Sequence, residues 1–474
     1  MNINRRRFLE TATATAVFAG CPRFEAHAAV NADYALDIRP GDAGLLEDKK
    51  LKTAIWGYDG QVPGPVLRAK QGTPISIKVT NRLEQSTSVH WHGLRIANAM
   101  DGVPGLTQEP IDPGESFVYR FTPPDAGTYW YHPHVRSWEQ VARGLYGTLI
   151  VEEPDAPDMD RDFVLVADDW RLGEDGAIDE ASFGNLHDWS HGGRLGNILT
   201  LNGKPYERLQ VNAGERVRLR LINTATARVM RFGILDQQAW IIAHDGQPVE
   251  PRLLDAAGID LSPGQRTDLM VDLKATPGDE IPIIETSTGE RLVAGYLVCA
   301  TTPAKTLRAV SRPGSMMSNP VPSPDLTDAL DVDLVMTGGA MRFLQSASYK
   351  GETYDGRTLA MEHGQTWAFN GIAGMPSEPL ISVPRGRTVK LKLRNDTRWP
   401  HNIHLHGHHF VQMTDTAADA PANNRAGALQ DTVLIDADKA ADIAFLADNP
   451  GKWMIHCHML EHQASGMASW FEVT

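Results

Sequence analysis

Cysteine is scarce in this chain, with only three among 474 residues, and one of them, Cys21, lies close to the N-terminus. Secreted proteins that depend on disulfides are far richer in cysteine, so a disulfide framework is excluded. Cys299 and Cys457 could still form a single bond. Cys299 lies in "YLVCA", a segment typical of a buried strand, whereas Cys457 is flanked by two histidines and needs another explanation.

Long apolar runs and excess positive charge are also missing. Beyond the N-terminal region no segment reaches the roughly 20 apolar residues that a membrane helix needs, so no membrane span is expected. The 59 acidic residues outnumber the 45 basic ones, and the net charge of −14 argues against nucleic acid and anionic membranes as partners. The chain has instead 42 glycines and 30 prolines. This composition is typical of many short strands joined by turns.

The first 28 residues have the features of a twin-arginine export signal. Arg5 and Arg6 precede the apolar stretch Thr11–Gly20, and "AHA" allows cleavage before Ala29. A rival interpretation is lipidation of Cys21 within "FAGC". We therefore expect the twin-arginine export machinery to deliver the protein to the periplasm, where it is soluble or, alternatively, anchored through a lipid on Cys21.

A repeated pattern divides the rest of the chain into three units. In each unit a glycine is followed nine residues later by an asparagine, and the residues between them alternate: "TPISIKVT", "ERVRLRLI" and "RTVKLKLR". Such alternation predicts strands with one buried face. We therefore predict an all-β protein with three Greek-key β-sandwich domains at residues 29–155, 160–302 and 325–474. The repeated pairs are Gly72/Asn81, Gly214/Asn223 and Gly386/Asn395.

Histidines concentrate at matching positions of the first and third units. For 17 histidines, chance predicts fewer than one His-x-His pair, and the chain has five. The second unit has Phe232 and Ile234 at the matching positions, which indicates that it keeps the fold without the ligands. The five pairs are His90/His92, His132/His134, His404/His406, His406/His408 and His456/His458.

Strand geometry explains the spacing of these pairs. Residues i and i+2 point to the same face of a strand, so four strands from two facing domains can direct eight imidazoles into one pocket. Neutral imidazole suits copper, zinc, iron and nickel. Eight ligands are too many for one ion, so the pocket should hold several ions. His408 and His409 continue the third motif, and we interpret both as structural residues or as residues that support the ligands.

Neighbouring residues of a strand point to opposite faces, so Cys457 should point away from its two histidine neighbours. His401 is an odd number of residues before His404 and should likewise point away from the pair that follows. A loop beyond the last strand could bring two more ligands back towards Cys457. An electron accepted there could pass through the cysteine backbone to the adjacent histidines, His456 and His458. The complete set is His401, Cys457 and His462 with a weak axial Met467, which is typical of blue copper.

Four motifs, "HWHG", "WYHPH", "HNIHLHGHHF" and "HCHMLEHQASGM", together resemble those of the three-domain multicopper oxidases, the group of bacterial laccases and copper efflux oxidases. The resemblance implies cupredoxin-like domains and four copper ions. Since one chain can supply every ligand, a monomer is expected. It also implies that four one-electron oxidations at a type 1 copper reduce O2 to two waters at a trinuclear cluster. Carried over by motif, the type 1 ligands are His401, Cys457, His462 and Met467; the type 2 ligands are His90 and His404; and the type 3 ligands are His92, His132 and His458 for one ion and His134, His406 and His456 for the other.

The resemblance draws attention to two further residues. Asp101, in "AMDG", matches the position of the family's proton-relay aspartate and is expected to act as a general acid, although a turn aspartate before Gly102 would give the same pattern. Gln463 stands where related bacterial enzymes often have an acid. More of the proton delivery would then depend on Asp101.

The main functional hypothesis is an oxidase of phenols, aromatic amines or similar donors. A metallo-oxidase for Cu(I) or Fe(II) is the alternative, and the lack of a methionine-rich insert disfavours it. Scattered methionines such as Met341, Met361 and Met375 are interpreted as core packing. A non-catalytic cell-envelope protein of this fold would lack the ligands, and a copper nitrite reductase needs three histidines rather than four pairs. His187 and His191 are interpreted as solvated loop residues.

Overall fold

The computed structural model describes residues 32–48, 50–301, 310–415 and 426–474. The predicted export signal, with Arg5, Arg6, Cys21 and Ala28, lies outside these residues. Within the described part of the chain, strands dominate, and no helix is long and apolar enough to cross a membrane. The prediction of an all-β protein is confirmed.

The first pair of sheets, called the first sandwich below, spans residues 34–152. Its elements are β1 (Tyr34–Ala43), β2 (Thr53–Tyr58), β3 (Leu67–Lys70), β4 (Ile75–Asn81), β5 (His90–His92), a 3-10 helix (Asn98–Met100), β6 (Ser116–Phe121), β7 (Gly127–His132), α1 (Ser137–Gln140) and β8 (Gly147–Glu152). The strand orders of its two sheets are β2-β1-β4-β6 and β3-β8-β7-β5.

The second sandwich spans residues 161–299. Its elements are β9 (Arg161–Trp170), a 3-10 helix (Glu180–Ser182), α2 (Leu186–Ser190), β10 (Ile198–Leu201), β11 (Glu207–Val211), β12 (Arg216–Asn223), β13 (Met230–Ile234), β14 (Ala239–His244), β15 (Gln247–Leu253), β16 (Ile259–Leu261), β17 (Arg266–Asp272), β18 (Glu280–Glu285) and β19 (Leu292–Cys299). The strand orders are β10-β9-β12-β17-β14-β15 and β11-β19-β18-β13-β16.

The third sandwich begins after a 3-10 helix (Leu326–Asp328) and spans residues 330–473. Its elements are β20 (Leu330–Gly338), β21 (Ser346–Tyr349), β22 (Glu352–Asp355), α3 (Gly356–His363), β23 (Trp367–Phe369), β24 (Ser382–Val383), β25 (Thr388–Asp396), β26 (His401–Leu405), β27 (Phe410–Gln412), β28 (Leu429–Gln430), β29 (Thr432–Ile435), β30 (Ala440–Leu446), β31 (Gly451–Cys457), α4 (Leu460–Ala464) and β32 (Ala468–Val473). The strand orders are β23-β20-β25-β30-β27-β28 and β24-β32-β31-β26-β29, and β21 and β22 form a separate hairpin.

The glycine–asparagine repeat has the same structural role in all three sandwiches. The glycine turns the chain at a positive φ, 68° at Gly72, 80° at Gly214 and 89° at Gly386, which costs glycine little. The strand that follows pairs in parallel with the first strand of its sandwich: β4 with β1, β12 with β9, and β25 with β20. At the end of that strand the amide of the asparagine donates to main-chain carbonyls of the following loops. The asparagines are Asn81, Asn223 and Asn395.

Each sandwich has a hydrophobic core of its own. A further apolar cluster joins the three, because Trp130 of the first sandwich, Trp170 of the second and Leu460 of the third belong to it. The sandwiches therefore pack directly against one another. Cys299 ends β19 as a buried residue, as predicted, and it and Cys457 are both free, so the disulfide that the sequence allowed does not form.

Candidate metal centre

Eight histidines come together where the first and third sandwiches face each other. β5 and β7 are paired so that His90 lies opposite His132, and β26 and β31 are paired so that His404 lies opposite His456. His92 ends β5, and the remaining second members of the pairs follow directly after their strands or one residue beyond. Seven of the eight side chains are buried and the eighth is half-buried. The remaining members are His134, His406 and His458.

The ring nitrogens of these histidines form overlapping groups of three, and the nitrogens of each group lie within 4.8 Å of one another. The closest approach joins His406 Nε2 and His456 Nε2 at 3.1 Å. Both triads that the resemblance assigned to type 3 copper occur among the groups, and the predicted type 2 pair occurs in another. The groups are His90/His132/His134, His90/His404/His406, His92/His132/His458 and His134/His406/His456.

Asp101 lies beside this pocket, where it holds two of the imidazoles. Its Oδ2 accepts a hydrogen bond from His406 Nδ1 at 2.9 Å, and its main-chain carbonyl accepts from His90 Nδ1 at 2.7 Å. Its Oδ1 is 3.3 Å from the same His90 nitrogen. The side chain is buried, 1 % exposed. These bonds place the protons on Nδ1 and leave the Nε2 lone pairs of both rings free for a metal.

Asp431, which the sequence analysis missed, holds two further imidazoles on the other side. Its Oδ1 accepts from His92 Nε2 at 3.2 Å, and its carbonyl accepts from His404 Nδ1 at 2.9 Å. Arg266 donates to both carboxylate oxygens at 2.9 and 2.7 Å. Burial alone would raise the pKa of Asp431, but Arg266 and the imidazoles outweigh it and hold the pKa well below its ordinary value. The residue is therefore a buried anion that orients two rings from different sandwiches.

Several of the other nitrogens of the eight rings have no hydrogen-bond partner within the described residues. Buried polar atoms without a partner are costly, so their convergence needs a ligand to account for it. Burial lowers the pKa of seven of the eight imidazoles, which are therefore neutral, the form that binds metal ions. They are His92, His132, His134, His404, His406, His456 and His458. The donor set fits a cluster of ions such as copper. The unpartnered nitrogens include Nε2 of His90, His132, His134 and His404 and Nδ1 of His92.

A second donor set, made of His401, Cys457 and His462, lies in the third sandwich. Cys457 Sγ is 3.7 Å from His401 Nδ1 and 3.8 Å from His462 Nδ1, and the two nitrogens are 3.0 Å apart. The opposite nitrogens are used elsewhere: His401 Nε2 bonds Thr397 Oγ1 at 3.0 Å, and His462 Nε2 donates to the carbonyl of His191 at 2.7 Å. Burial raises the pKa of the Cys457 thiol to about 12, so its thiolate needs a cation beside it.

The segment after β31 is not the loop that the sequence analysis expected. It forms the short helix α4, which carries His462 back towards Cys457 within one turn. Met467 follows the helix and is buried in the same apolar cluster as Cys457, and its carbonyl accepts the Cys457 N–H at 3.1 Å. The predicted axial residue therefore lies next to the thiol-bearing strand.

The second sandwich, which carries none of these histidines, contributes the turn at residues 262–266. A Cβ on Gly264 would lie 2.9 Å from His92 Cε1 and 3.2 Å from ring atoms of His458, so only glycine allows this approach. The carbonyl of Pro263 accepts from Asn402 Nδ2 at 2.6 Å. Together with Arg266, the turn therefore braces histidines of both other sandwiches. The sequence motif "SPGQR" indicated a turn but not what it contacts.

A cavity of about 430 Å³ is lined by both His134 and the exposed Lys350. Gln463 also lines it, with its Nε2 at 3.5 Å from His134 Nδ1, and its Oε1 accepts from Ser137 Oγ at 3.3 Å. The cavity offers a route between the pocket and solvent. The position where related enzymes often have an acid therefore lies on this route.

The histidines interpreted as structural are packed in ways that agree with that interpretation. The ring of His408 packs against Phe445 and Trp453 at centroid distances of 5.3 and 5.6 Å. His409 Nε2 donates to the carbonyl of Asp245 at 3.3 Å.

His187 and His191 belong to a segment that lies closer to the second donor set than the sequence suggested. His187 lies in α2 rather than in a loop, although its side chain is 72 % exposed, as predicted. The main chain of His191, however, contacts His462 of the second donor set. A single loop histidine carries no sequence signal for a contact of its carbonyl with another sandwich.

The interpretation of the scattered methionines as core packing was wrong for several of them. Met341 is 72 % exposed, Met361 69 % and Met375 42 %, whereas Met336 is buried. Exposed thioethers are available to soft metal ions such as Cu(I).

Comparisons with known proteins point to one family. Sequence profiles of the multicopper oxidases match residues 43–156, 161–281 and 348–474. A multicopper oxidase of Mycobacterium tuberculosis (strain ATCC 25618 / H37Rv) is 31 % identical over 87 % of this chain and 82 % of its own length. Laccase-2 of Botryotinia fuckeliana is 29 % identical over 93 % of this chain and 82 % of its own.

The crystal structure of Lac15, from a marine microbial metagenome, superposes with a TM-score of 0.73 at 38 % identity, covering 93 % of this chain and all of the other. This likeness confirms the prediction of three cupredoxin-like sandwiches. The chain belongs to the multicopper oxidase family, copper-dependent oxidoreductases that take electrons from a reducing substrate and deliver them to O2.

Proposed function

We propose that the chain holds four copper ions and oxidises phenols or aromatic amines at the expense of O2. The observation that carries the proposal is the tripeptide His456–His458, whose cysteine faces one donor set while its two histidines belong to the other. The type 1 ligands are His401, Cys457, His462 and axial Met467; the type 2 ligands are His90 and His404; and the type 3 ligands are His92, His132 and His458 with His134, His406 and His456. Copper ions held there would accept single electrons from the donor and reduce O2 to two waters.

The residues around the cluster orient the ligands and manage protons. Asp101 and Asp431 hold four imidazoles by their outer nitrogens, so the rings need not reorganise when metal binds. Reducing O2 to water consumes protons, and Gln463, on the solvent route, has no proton to give up. Asp101 is the carboxyl next to the cluster that can exchange one, and we assign it the general acid role.

The phenolic donor is favoured by the ring-lined surface near His462 and by the family likeness to laccases. A second candidate donor is Cu(I), because Met341, Met361 and Met375 present exposed thioethers on the third sandwich. Met341 follows Ala340, whose carbonyl accepts from the Trp399 indole at 3.2 Å. A cuprous site there would give a role in copper tolerance.

The location and organisation that we propose follow from the sequence. Arg5 and Arg6 support twin-arginine export to the periplasm, with lipidation at Cys21 as the alternative. The domains are 29–155, 160–302 and 325–474, of which the first and third carry the ligands. A monomer suffices because every proposed ligand comes from one chain.

Oxygen uptake by the purified, copper-loaded protein tests the function. We expect guaiacol, a simple phenol, to support faster uptake than Cu(I), with the copper content measured on the same sample. Faster uptake with Cu(I) would favour the cuprous oxidase instead. A protein with its full copper content and blue colour that consumes O2 with neither donor would contradict the proposal.

A further inference from the structure

His462 has no edge open to solvent. The residue is 0 % exposed, its Nδ1 faces Cys457, and its Nε2 donates to the carbonyl of His191 at 2.7 Å. Both ring nitrogens are therefore engaged. The Nε2 edge is closed by a residue of the segment 187–192, called the cover segment below, so a donor molecule that touched this edge would have to displace that segment.

The cover segment is fixed to the third sandwich by successive main-chain carbonyls. The carbonyl of Trp189 accepts from the indole of Trp367 at 2.6 Å, and that of Ser190 accepts from the N–H of Ala340 at 2.6 Å. The Trp367 ring in turn packs on His462 with a centroid distance of 4.6 Å. Opening the segment would break these bonds together with the one from His462. It is therefore part of the wall of the site.

The outer face of the cover segment is an aromatic platform. The rings of His187 and His191 stack at 3.9 Å with an angle of 13°, and His191 meets Trp399 edge-on at 5.2 Å. The side chain of His187 is 72 % exposed, and that of His191 is half-buried. The carboxylate of Asp188 is paired with Arg171 at 2.6 Å. The same carboxylate lies 3.8 Å from His187 Nδ1. The two stacked rings are therefore the aromatic part of this face.

We propose that the phenolic donor binds on this platform and that its electron enters across the hydrogen bond between the His191 carbonyl and His462. The inference rests on the proposed function and goes beyond it by separating the docking site from the copper ligand. A planar ring can stack on the imidazole pair, as aromatic groups commonly do.

Each encounter takes one electron and the hydroxyl proton from the phenol and leaves a phenoxyl radical. The copper ion that His401, Cys457 and His462 would hold would supply the one-electron oxidant; the electron would reach it across the hydrogen bond to His462, and the proton goes to bulk water. Four such encounters supply the electrons that the oxidase passes to O2. The main chain of His191 conducts the electron, and the two imidazoles only hold the donor in place.

The test compares the copper-loaded wild type with the double variant His187→Ala/His191→Ala. The affinity for guaiacol is measured by ligand-observed NMR on the dithionite-reduced enzyme without oxygen, which cannot oxidise the phenol. Losing the stacked rings should weaken binding about three- to tenfold, and KM should rise by the same factor. The blue absorption of the reoxidised variant should not change, because the His191 carbonyl is retained.

Two further variants separate ring stacking from general disturbance. His187→Phe/His191→Phe keeps the rings and should restore most of the affinity. Tyr206→Ala removes an exposed aromatic side chain elsewhere on the second sandwich and should leave the affinity for guaiacol as in the wild type.

The outcomes distinguish this inference from the proposed function. A wild type that oxidises guaiacol together with an alanine variant of unchanged affinity and KM would overturn the docking site alone. A crystal structure of the reduced enzyme with guaiacol seated against His462 and the cover segment displaced would overturn the electron route. A wild type that does not oxidise guaiacol would overturn both the inference and the proposed function.

Discussion

At the scale of single residues, Cys457 serves two sites with different atoms. Its thiol faces His401 and His462, and its carbonyl accepts the Nδ1–H of His456 at 2.9 Å. The side chain therefore belongs to one donor set, and the main chain orients a ligand of the other. Few covalent bonds separate the two sets, so a change at this residue should disconnect them.

We expect Cys457→Ser to abolish both the blue absorption and turnover of phenols, because a serine hydroxyl is a poor ligand for the soft site. The histidine cluster should keep its copper, so metal analysis should show the loss of the type 1 ion only. Cys299→Ser changes the other buried cysteine, in the second sandwich, and is the matched control. Blue colour or turnover surviving in Cys457→Ser would contradict the assignment.

The proposed axial residue allows a second test at this scale. Met467→Leu nearly conserves volume but removes the thioether, which as a weak donor stabilises the oxidised ion more than the reduced one. We expect the copper to remain and its reduction potential to rise, as measured by redox titration of the blue band. Met459→Leu, in the same apolar cluster, should leave the potential unchanged. Equal potentials for wild type and Met467→Leu would argue against axial ligation.

At the scale of elements, the turn at residues 262–266 shows that the second sandwich helps to build the metal centre. Gly264 lies against His92 and His458, and Arg266 forms a two-bonded ion pair with Asp431. One carboxylate is thereby shared among all three sandwiches. The absence of ligands in the middle repeat did not mean that it was only a spacer.

Gly264→Ala should place a methyl group 2.9 Å from the His92 ring and displace it. We expect the cluster to lose copper or to change its geometry. The rate of O2 reduction should then fall about a hundredfold, as it does when other active-site groups are misplaced by about 1 Å. The blue absorption should remain. Gly278→Ala shares a positive φ, 93° against 88°, but has open space around it, so it controls for backbone strain. Equal activity of the two variants would rule out the contact.

Strand geometry also explains how much of the site could be predicted from the sequence. Residues two apart on a strand share a face, so the pairs and the opposite orientation of Cys457 were predictable. The contact between Asp431 and His92 was not, because it joins residues more than 300 positions apart and rests on one aspartate with no repeated partner. The carbonyl of His191 was equally hidden, since main-chain atoms carry no residue-specific signal. Helix α4 is too short for periodicity to reveal it.

At the scale of the whole molecule, the concentration of buried histidines makes the copper-free protein sensitive to acid. Burial lowers the pKa of twelve described histidines, to about 3 for His244 and His408 and about 4 for His409. In the unfolded chain these groups titrate near pH 6.5. The unfolded state therefore binds more protons below that pH, and the stability that is present above it is lost as the pH falls towards 3–4.

Three buried carboxyls oppose this trend. Burial raises the pKa of Asp168 to about 8, and those of Asp245 and Glu461 to about 7. These groups take up protons in the folded state as the pH falls from about 8, which adds stability on the way down to their unfolded pKa near 4. Because the histidines outnumber them, the net proton uptake on unfolding below pH 6.5 remains positive.

We therefore expect the unfolding free energy of the copper-free protein to fall steeply between about pH 6.5 and about pH 5, by roughly 1.4 kcal/mol per pH unit for each extra proton that the unfolded chain binds. Denaturant midpoints across this range would measure the slope. The unfolding free energy of the copper-loaded protein should fall less until its metal is released, because bound ions keep the imidazoles deprotonated and stabilise only the folded state. Identical slopes for the two forms would mean that the ligand histidines do not dominate the acid response, since the remaining buried groups are the same in both.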